Sequence, residues 1–519
     1  MNRGSTHEPP QMALGDWIDA GRRRWPDVAC LVTESRSQTY AETADRVDRL
    51  AGALLASGLV KGDRIGIVAT DSIEHVELIL ACFKAGVVVC DLNFRLRRPE
   101  LENIAAAAGL SGLFWSERYA AAVKGLVTAG AKLCSDLGPG LEQLIASSTG
   151  SGLAHAAARG EDIVSISFTS GTTGVPKGVL QSERMIRNIT YSGIREMVIK
   201  PGGFRYSGAS LFHISGIGSV LYAVASGCTS LLLDQFDAPT VLHWMQHRGL
   251  THCTLIPTMI SSILELPEIE GATFPELRTI MYGGAAITPA LLRRMIEVFD
   301  CDLFNGFGAG TEAGGQTMLG AEEHRRAMAG DHHLLGSIGT PILGVDLRLC
   351  DADMNDVAPG EVGEIVTRSE TVMSGYLDQP ELTARSLVDG WFRAGDMAYM
   401  DEEGFLYLAT RKSDMIIRGG ENVYPNEIES VLAEHPAVAG VSVVGLPDEH
   451  WGEVVAAVVV VRDDTVTTDV LREWCRARLA SYKVPEQVVF MPELPTNANG
   501  KVQKRLLVAM LSEGAEDVG

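Results

Sequence analysis

The residues best suited to chemistry cluster first at Thr169-Ser170-Gly171-Thr172-Thr173-Gly174-Val175-Pro176-Lys177-Gly178. Hydroxyls, glycines and a lysine in so short a run have the makings of a phosphate cradle. Glycine lets backbone N–H groups approach an anion, and the lysine adds a positive charge. It is not a Walker A loop, because Pro176 precedes the lysine and Gly178 stands where Ser or Thr would. A bland Gly/Thr turn is the competing reading, and the density of hydroxyls with a lysine counts against it. A second segment, Pro495-Thr496-Asn497-Ala498-Asn499-Gly500-Lys501-Val502, sets Lys501 after a glycine turn near the C-terminus. A lysine there can be carried to a site built by the rest of the chain. An early nucleotide loop and a late mobile lysine point to chemistry on a carboxylate activated by ATP.

The elements that must position these groups show as alternating signals. Apolar spacing predicts helices over 40–57 and 72–85, and strands over 64–69 and 87–90. Such alternation implies parallel sheets covered by helices, and it recurs through 211–233 and 251–282. Residues 138–161, rich in Gly, Ala and Ser, read as a surface excursion before a strand at 163–168 that delivers the phosphate loop. From about 334 to 408 short β-rich runs (345–349, 363–367, 405–408) are split by Gly, Pro and Asp turns, so a small β-barrel or antiparallel unit is expected. After Arg411-Lys412-Ser413-Asp414 a compact α/β unit follows: helices over 426–434 and 468–480, strands over 441–445, 454–461 and 488–491. The resulting organisation is an α/β chain. Residues 1–410 form a large N-terminal domain (334–410 its β-rich part), 411–414 a hinge, and 415–519 a C-terminal domain.

At 519 residues the chain is too long for a single core. Its composition, 46% hydrophobic and 21% charged, is that of a globular protein. A net charge of −22 argues against nucleic acid and against anionic membranes as partners. Nine cysteines with no Cys-x-x-Cys spacing fit reduced thiols in a cytoplasm rather than disulfides or a zinc site. The polar stretch before Trp25 lacks the apolar core of a signal peptide. The longest apolar stretch, 78–92, is broken by Lys84 and Asp91 and reads as a helix end, a Gly86 turn and a buried strand.

Further motifs carry a resemblance. Tyr282-Gly283-Gly284-Ala285, Gly390-Trp391-Phe392-Arg393-Ala394-Gly395-Asp396, the run from Arg411 to Pro425 and Gly500-Lys501 follow the phosphate loop in order. From about Tyr40 to its end the chain resembles the ANL adenylating superfamily of acyl-CoA synthetases, carrier-protein adenylation domains and luciferases. The resemblance implies a large domain with layered α/β sheets and a small β-barrel, closed by a mobile C-terminal α/β lid that takes one orientation per half-reaction. First a carboxylate attacks the α-phosphate of Mg-ATP, giving acyl-AMP and pyrophosphate. Then a thiol attacks the acyl carbon and AMP leaves.

Residue by residue, the resemblance gives Thr169, Ser170, Gly171, Thr172, Thr173 and Lys177 to the phosphates. Gly283, Gly284 and Ala285 flank adenine, with Asn305, Gly306, Phe307 and Gly308 on the adjoining segment. Asp396 takes the ribose hydroxyls, a task suited to two carboxylate oxygens, and Arg411 lies nearby. Lys501 bridges carboxylate and phosphate oxygens, stabilising charge as it develops. Alone, Asp396 reads as a turn aspartate and Lys501 or Arg411 as a solvated charge; the ordered motifs outweigh those readings. On the lid, Gly419, Gly420 and Glu421 line a pantetheine tunnel, and Trp451 stacks on the adenine of CoA, with Tyr482 and Lys483 in a nucleotide-contact segment. Trp451 as a packing residue is the competing reading. His213 and Gly216, with Tyr282 and Gly283, border the acyl pocket, where His213 gates it or is a satisfied core histidine. Asp237 reads as a helix N-cap rather than an amino-group anchor. The pocket stretches are mostly apolar and fit an aliphatic, aromatic or polycyclic acid.

Two positions depart from the pattern. The metal motif, usually aromatic-Gly-x-Thr-Glu, is Phe307-Gly308-Ala309-Gly310-Thr311-Glu312, one residue longer. Glu312 should hold Mg²⁺ and Thr311 contact phosphate oxygens. One extra residue advances an extended chain by up to ~3.3–3.6 Å, and magnesium is strict about its ~2.0–2.1 Å ligand distances. Either 309–310 bulges and leaves Glu312 in place, or adenylation is weakened or lost. In the second case the enzyme moves an acyl-adenylate supplied by a separate adenylating enzyme onto CoA. The other departure is Ser413, where relatives commonly place Asp or Lys at the hinge. The expected function is an acyl-CoA ligase using ATP or acyl-AMP, CoA and, for adenylation, Mg²⁺. Alternatives are loading of a carrier-protein phosphopantetheine, a non-catalytic adenylate-binding protein and, remotely, a luciferase-like oxygenase.

Overall fold

The computed structural model describes residues 12–516 apart from 127–130, 151–156, 170–176, 286, 420, 449, 463–465 and 497–501. The chain builds four sheets. One has seven strands, in the order Gly375–Tyr376, Lys177–Ser182, Ile163–Thr169, Val88–Asp91, Arg64–Val68, Gly112–Trp115, Leu133–Asp136. The strands from Ile163–Thr169 to Leu133–Asp136 run parallel, and the other two pair antiparallel. A second sheet has nine strands, with a parallel run through Ala29–Val32, Thr229–Leu231, Phe204–Ser207, His252–Leu255, Thr279–Gly283 and Asp302–Phe307.

Local signals account for the element ends. Ser72 caps the helix Ile73–Ala85 by accepting from the His75 N–H, and Gly86 ends it in the left-handed region at φ 70°. The helix Tyr40–Ala56 opens on a Thr39–Glu42 capping box. Asp237 accepts from Thr240 N–H and caps Ala238–His247, as read from the sequence. Ile73–Ala85, Tyr40–Ala56 and Ile214–Ser226 fill a core between the two sheets, through Leu54, Ile79, Phe83 and Leu221 against Ile65, Val89 and Leu232. Residues 138–161 correct the expected excursion: Pro139–Ser147 is a helix, with Leu141 and Ile145 buried one turn apart in that same core.

The third sheet is the antiparallel unit expected after residue 334. Its strands are Val345–Cys350, Gly363–Ser369, Leu387–Val388, Trp391–Met400 and Leu406–Arg411. Their pairings form an open path, not a closed barrel, among the described residues. From Ile416 onward the strands form their own sheet of Ile416–Arg418, Glu421–Val423, Val438–Asp448, Gly452–Val461 and Gln487–Phe490. The strand Gly452–Val461 is apolar on both faces. Val455, Ala457 and Val459 pack toward Ile428 and Leu471, while Val454, Ala456 and Val458 pack toward Leu507. Two-sided burial, not alternation, explains its unbroken run of Val and Ala. The nine cysteines are all free of disulfides. No helix among the described residues is long and apolar enough to cross a membrane.

Candidate active site

The strands on either side of the phosphate segment pair with each other. Thr169 and Lys177 face each other across antiparallel strands, so the seven-stranded sheet holds the loop by both roots. Ser170, Gly171, Thr172 and Thr173 lie outside the described residues, as do Gly420 and Lys501. At the root, Lys177 Nζ stands 5.7 Å from the Tyr376 ring centroid. Tyr376 arrives on the strand that pairs with Lys177–Ser182, opposite Val179. Its phenol donates to Glu312 Oε1 at 3.5 Å.

Glu312 sits on the one-turn helix Gly310–Ala313. A tight turn leads into it. Phe307 ends its strand by accepting from Gln316 N–H, and Gly308 tucks so close that a Cβ there would lie 2.2 Å from Gly314 O. Ala309 O then accepts from Glu312 N–H at 2.7 Å and Ala313 N–H at 3.0 Å. Three outside contacts hold the turn: Gln181 Nε2 on Thr311 O at 2.9 Å, Met373 N–H on Glu312 O at 2.8 Å, and Thr371 Oγ1 on Ala313 O at 2.8 Å. Burial raises the Glu312 carboxyl above the usual range, and the charges of Arg411 and Lys177 with the Tyr376 hydroxyl pull it back. Glu312, Lys177, Arg411 and Tyr376 thus share one electrostatic neighbourhood.

Asp396 and Arg411 are cross-strand partners, Nε to Oδ1 3.0 Å. The Asp396 side chain is only 9% exposed, whereas that of Arg411 is 56% exposed. Arg411 then begins a turn closed by Asp414 N–H on its carbonyl, where Ser413 Oγ donates to Asp414 Oδ1 at 2.9 Å. Across the nine-stranded sheet, Gly283 pairs with Gly306, and a Cβ on Gly283 would meet Gly306 O at 2.4 Å. Gly284 (φ 79°) and Ala285 are exposed beyond that strand end, and Asn305, Phe307, Gly308 and Thr311 are half-buried.

His213 occupies the N-cap position of Ile214–Ser226, its carbonyl accepting from Gly216 and Ile217 N–H. Its ring lies 5.2 Å from that of Phe212, and His213 lines a small cavity with Phe83, Ser167 and Gln181. Gly216 is required there, since a Cβ would fall 2.1 Å from Ser210 O. Tyr282 departs from its expected place. Alternation along the strand turns it away from Met281 and Gly283, and its hydroxyl meets His324 Nε2 at 2.8 Å in the core.

On the C-terminal sheet, Gly419 (φ 58°) donates to Trp451 O at 2.7 Å, and Trp451 lies flat enough on it that a Cβ would meet Cε3 at 2.8 Å. Arg418 lies 5.5 Å from the Trp451 centroid and also donates to Tyr482 O. Trp451 (44% exposed) and Tyr482 (37%) therefore form an open aromatic patch with a cation beneath. Glu421 is exposed, and Lys483 is engaged by both oxygens of Glu427 at 2.7 Å. Sequence reasoning missed Tyr376, Gln181 and Arg418. Each acts through pairing with a distant segment, which no local spacing announces.

Comparison with known proteins identifies the family. The chain matches the family model "AMP-binding enzyme" over residues 18–377 and "AMP-binding enzyme C-terminal domain" over 427–501. It is 36% identical over 508 residues to a feruloyl-CoA synthase of Amycolatopsis sp, covering 95% of this chain and 97% of that protein. It is 32% identical over 506 residues to a fatty acid–[acyl-carrier-protein] ligase of Streptomyces coeruleorubidus, covering 96% and 97%. The structure of o-succinylbenzoate CoA synthetase from Bacillus subtilis with its acyl-adenylate intermediate superposes with a TM-score of 0.83 at 30% identity, over 95% and 97% of the chains. The chain belongs to the AMP-binding enzyme family, within the ANL superfamily.

Proposed function

We propose that this protein is an acyl-CoA ligase that runs both half-reactions. A carboxylate attacks the α-phosphate of ATP, forming an acyl–phosphate bond and releasing pyrophosphate. The thiol of CoA then attacks the acyl carbon and AMP departs. The observation that carries this reading is the convergence of Glu312, Lys177, Arg411 and Tyr376 at the root of the phosphate segment, with Asp396 paired to Arg411.

Magnesium fits this site. No group of three or more His, Cys, Asp or Glu among the described residues could cage a metal. Mg²⁺ characteristically takes one or two carboxylates plus substrate phosphates, and Glu312 supplies such a carboxylate. When bound it would neutralise pyrophosphate charge. Lys177 adds charge at the root of the phosphate segment, Asp396 accepts from ribose hydroxyls, and Gly283, Gly284 and Ala285 admit adenine against bare backbone. Lys501 is assigned to bridging the reacting oxygens, and the turn at 411–414 to the hinge between residues 1–410 and 415–519.

The longer turn at 309–310 favours retained adenylation, because its backbone bonds return Glu312 to face Lys177 and Arg411. The version limited to thioester formation from a supplied acyl-adenylate loses its motive on that ground. CoA is favoured over a carrier-bound pantetheine by Trp451 and Tyr482, since only free CoA brings an adenine for them to stack on. Carboxylate-dependent ATP–pyrophosphate exchange tests the first step, and thioester yield with CoA against holo-carrier tests the second. Exchange absent across a broad acid panel, with thioester still made from acyl-AMP, would sink the full-ligase reading.

A further inference from the structure

Arg205 lies in the strand Phe204–Ser207, between Ser230 and His252 in register. It is 2% exposed, among the largest fully buried side chains of the protein. Its Nε and Nη1 are buried with no hydrogen-bond partner among the described residues. The groups acting on its charge are Cys228, Tyr222 and Cys253, and no carboxylate is among them. The nearest compensation is the Tyr222 ring, 5.6 Å from the guanidinium carbon. The charge is felt nearby: burial first, then Arg205 and Arg278, hold His252 down to about 3. A guanidinium cannot escape burial by shedding its proton, and an unpaired buried charge is among the costliest features a fold can keep.

The second observation is a small cavity between the helix Ile214–Ser226 and the strands Phe204–Ser207 and Thr229–Leu231. Arg205, Ser207, Ser219, Ser230 and Asp71 line it. The Ser230 hydroxyl is itself buried without a partner. Burial pushes the Asp71 carboxyl up to about 7, and one of its oxygens is taken by Leu211 N–H at 2.9 Å. A protonated Asp71 adds a donor. The cavity is therefore furnished with a guanidinium, hydroxyls and an acid that holds its proton near neutrality. That set is the complement of a carboxylate.

The third observation is position. Leu211 and Gly216, on either side of His213, border this cavity. Ser207 pairs with Thr254 and Thr254 with Met281, placing the cavity at the same end of the sheet as Gly283. We propose that the acid substrate carries a second, distal carboxylate, and that Arg205 with Ser230 binds it. The substrate class is then dicarboxylic acids, one end seated against Arg205 and the other presented to the nucleotide. This rests on the ligase reading above.

The test uses the full chain and a ladder of α,ω-dicarboxylic acids beside monocarboxylic acids of matched length. AMP release with CoA gives kcat/KM, and calorimetry and melting temperature report binding. Wild type should favour one length of diacid over its monoacid. Arg205→Met should lower that ratio by about 10²-fold and should raise the melting temperature of the unliganded protein, because an unpaired charge is removed. A merely structural arginine would lower it. Ser230→Ala, a milder change, should cut the ratio by about tenfold and serves if Arg205→Met does not fold. Equal use of both acid series, an unchanged ratio in these variants, or stabilisation by chloride or phosphate equal to that by the diacid overturns the assignment. If monoacids are turned over as well as diacids, the ligase reading survives and this one falls. If nothing is turned over yet the diacid binds wild type and neither variant, the site stands and the ligase reading falls.

Discussion

The floor around Glu312 and the patch around Trp451 are built on opposite plans. The floor is fed by the paired strands flanking the phosphate segment, the one-turn helix Gly310–Ala313, the Tyr376 strand and the Asp396–Arg411 pair, and burial shifts its glutamate. The patch is one hydrogen-bonded corner, Gly419 to Trp451, with its aromatics open to solvent. Low local dielectric makes fixed charges effective against developing charge. An open stacking surface instead suits a partner that must arrive and leave. On the proposed function, the first part stabilises a transition state and the second loads a nucleophile.

The comparison breaks most visibly at Glu312. Glu312→Gln keeps the shape of the turn and removes its charge, so ATP–pyrophosphate exchange should fall by about 10²–10³-fold. Thioester formation from supplied acyl-AMP should fall far less. Equal losses in both assays would erase the division between floor and patch. Asp396→Ala comes next. Loss of hydrogen bonds to a buried carboxylate should raise KM for ATP by about 10–10²-fold, read from initial rates at saturating acid. Trp451→Ala should raise KM for CoA by about tenfold or more, the worth of one stacked base, while exchange moves little. A change confined to exchange would assign Trp451 to packing.

How much of this could be read from the chain alone differs by region for physical reasons. Helix ends were legible because caps are local: Ser72, Gly86 and Asp237 act within three residues of themselves. The run of Val and Ala at 454–461 announced a buried strand. The helix Pro139–Ser147 was hidden because Leu141, Leu144 and Ile145 make only a single turn of apolar face inside a stretch otherwise rich in Gly, Ala and Ser. Glu312 was legible as a candidate ligand, but the turn that carries it is held by Gln181, Thr371 and Met373 from distant segments. Arg205 gave no local sign at all. A single arginine in a short strand becomes informative only when every side of it is seen to lack an anion.

Tyr376 sharpens the comparison with the smallest effect. Burial lifts the Glu312 carboxyl, and the Tyr376 hydroxyl is one of the groups that lowers it. Because the folded value lies above the unfolded one, the native state binds the extra proton. Ionising Glu312 therefore removes stability as pH rises from the ordinary glutamate value through the raised one. Activity has the opposite sign, since exchange needs the ionised form and falls off as pH drops through that raised value. Tyr376→Phe deletes a bond that favours the carboxylate, so the acid limb of the exchange profile should move to higher pH. At 3.5 Å the bond is long, and the expected displacement is below about one pH unit. The profile of thioester formation from acyl-AMP should keep its acid limb where it was. If both profiles shift together, Tyr376 acts on the fold at large and not on the charge of the floor.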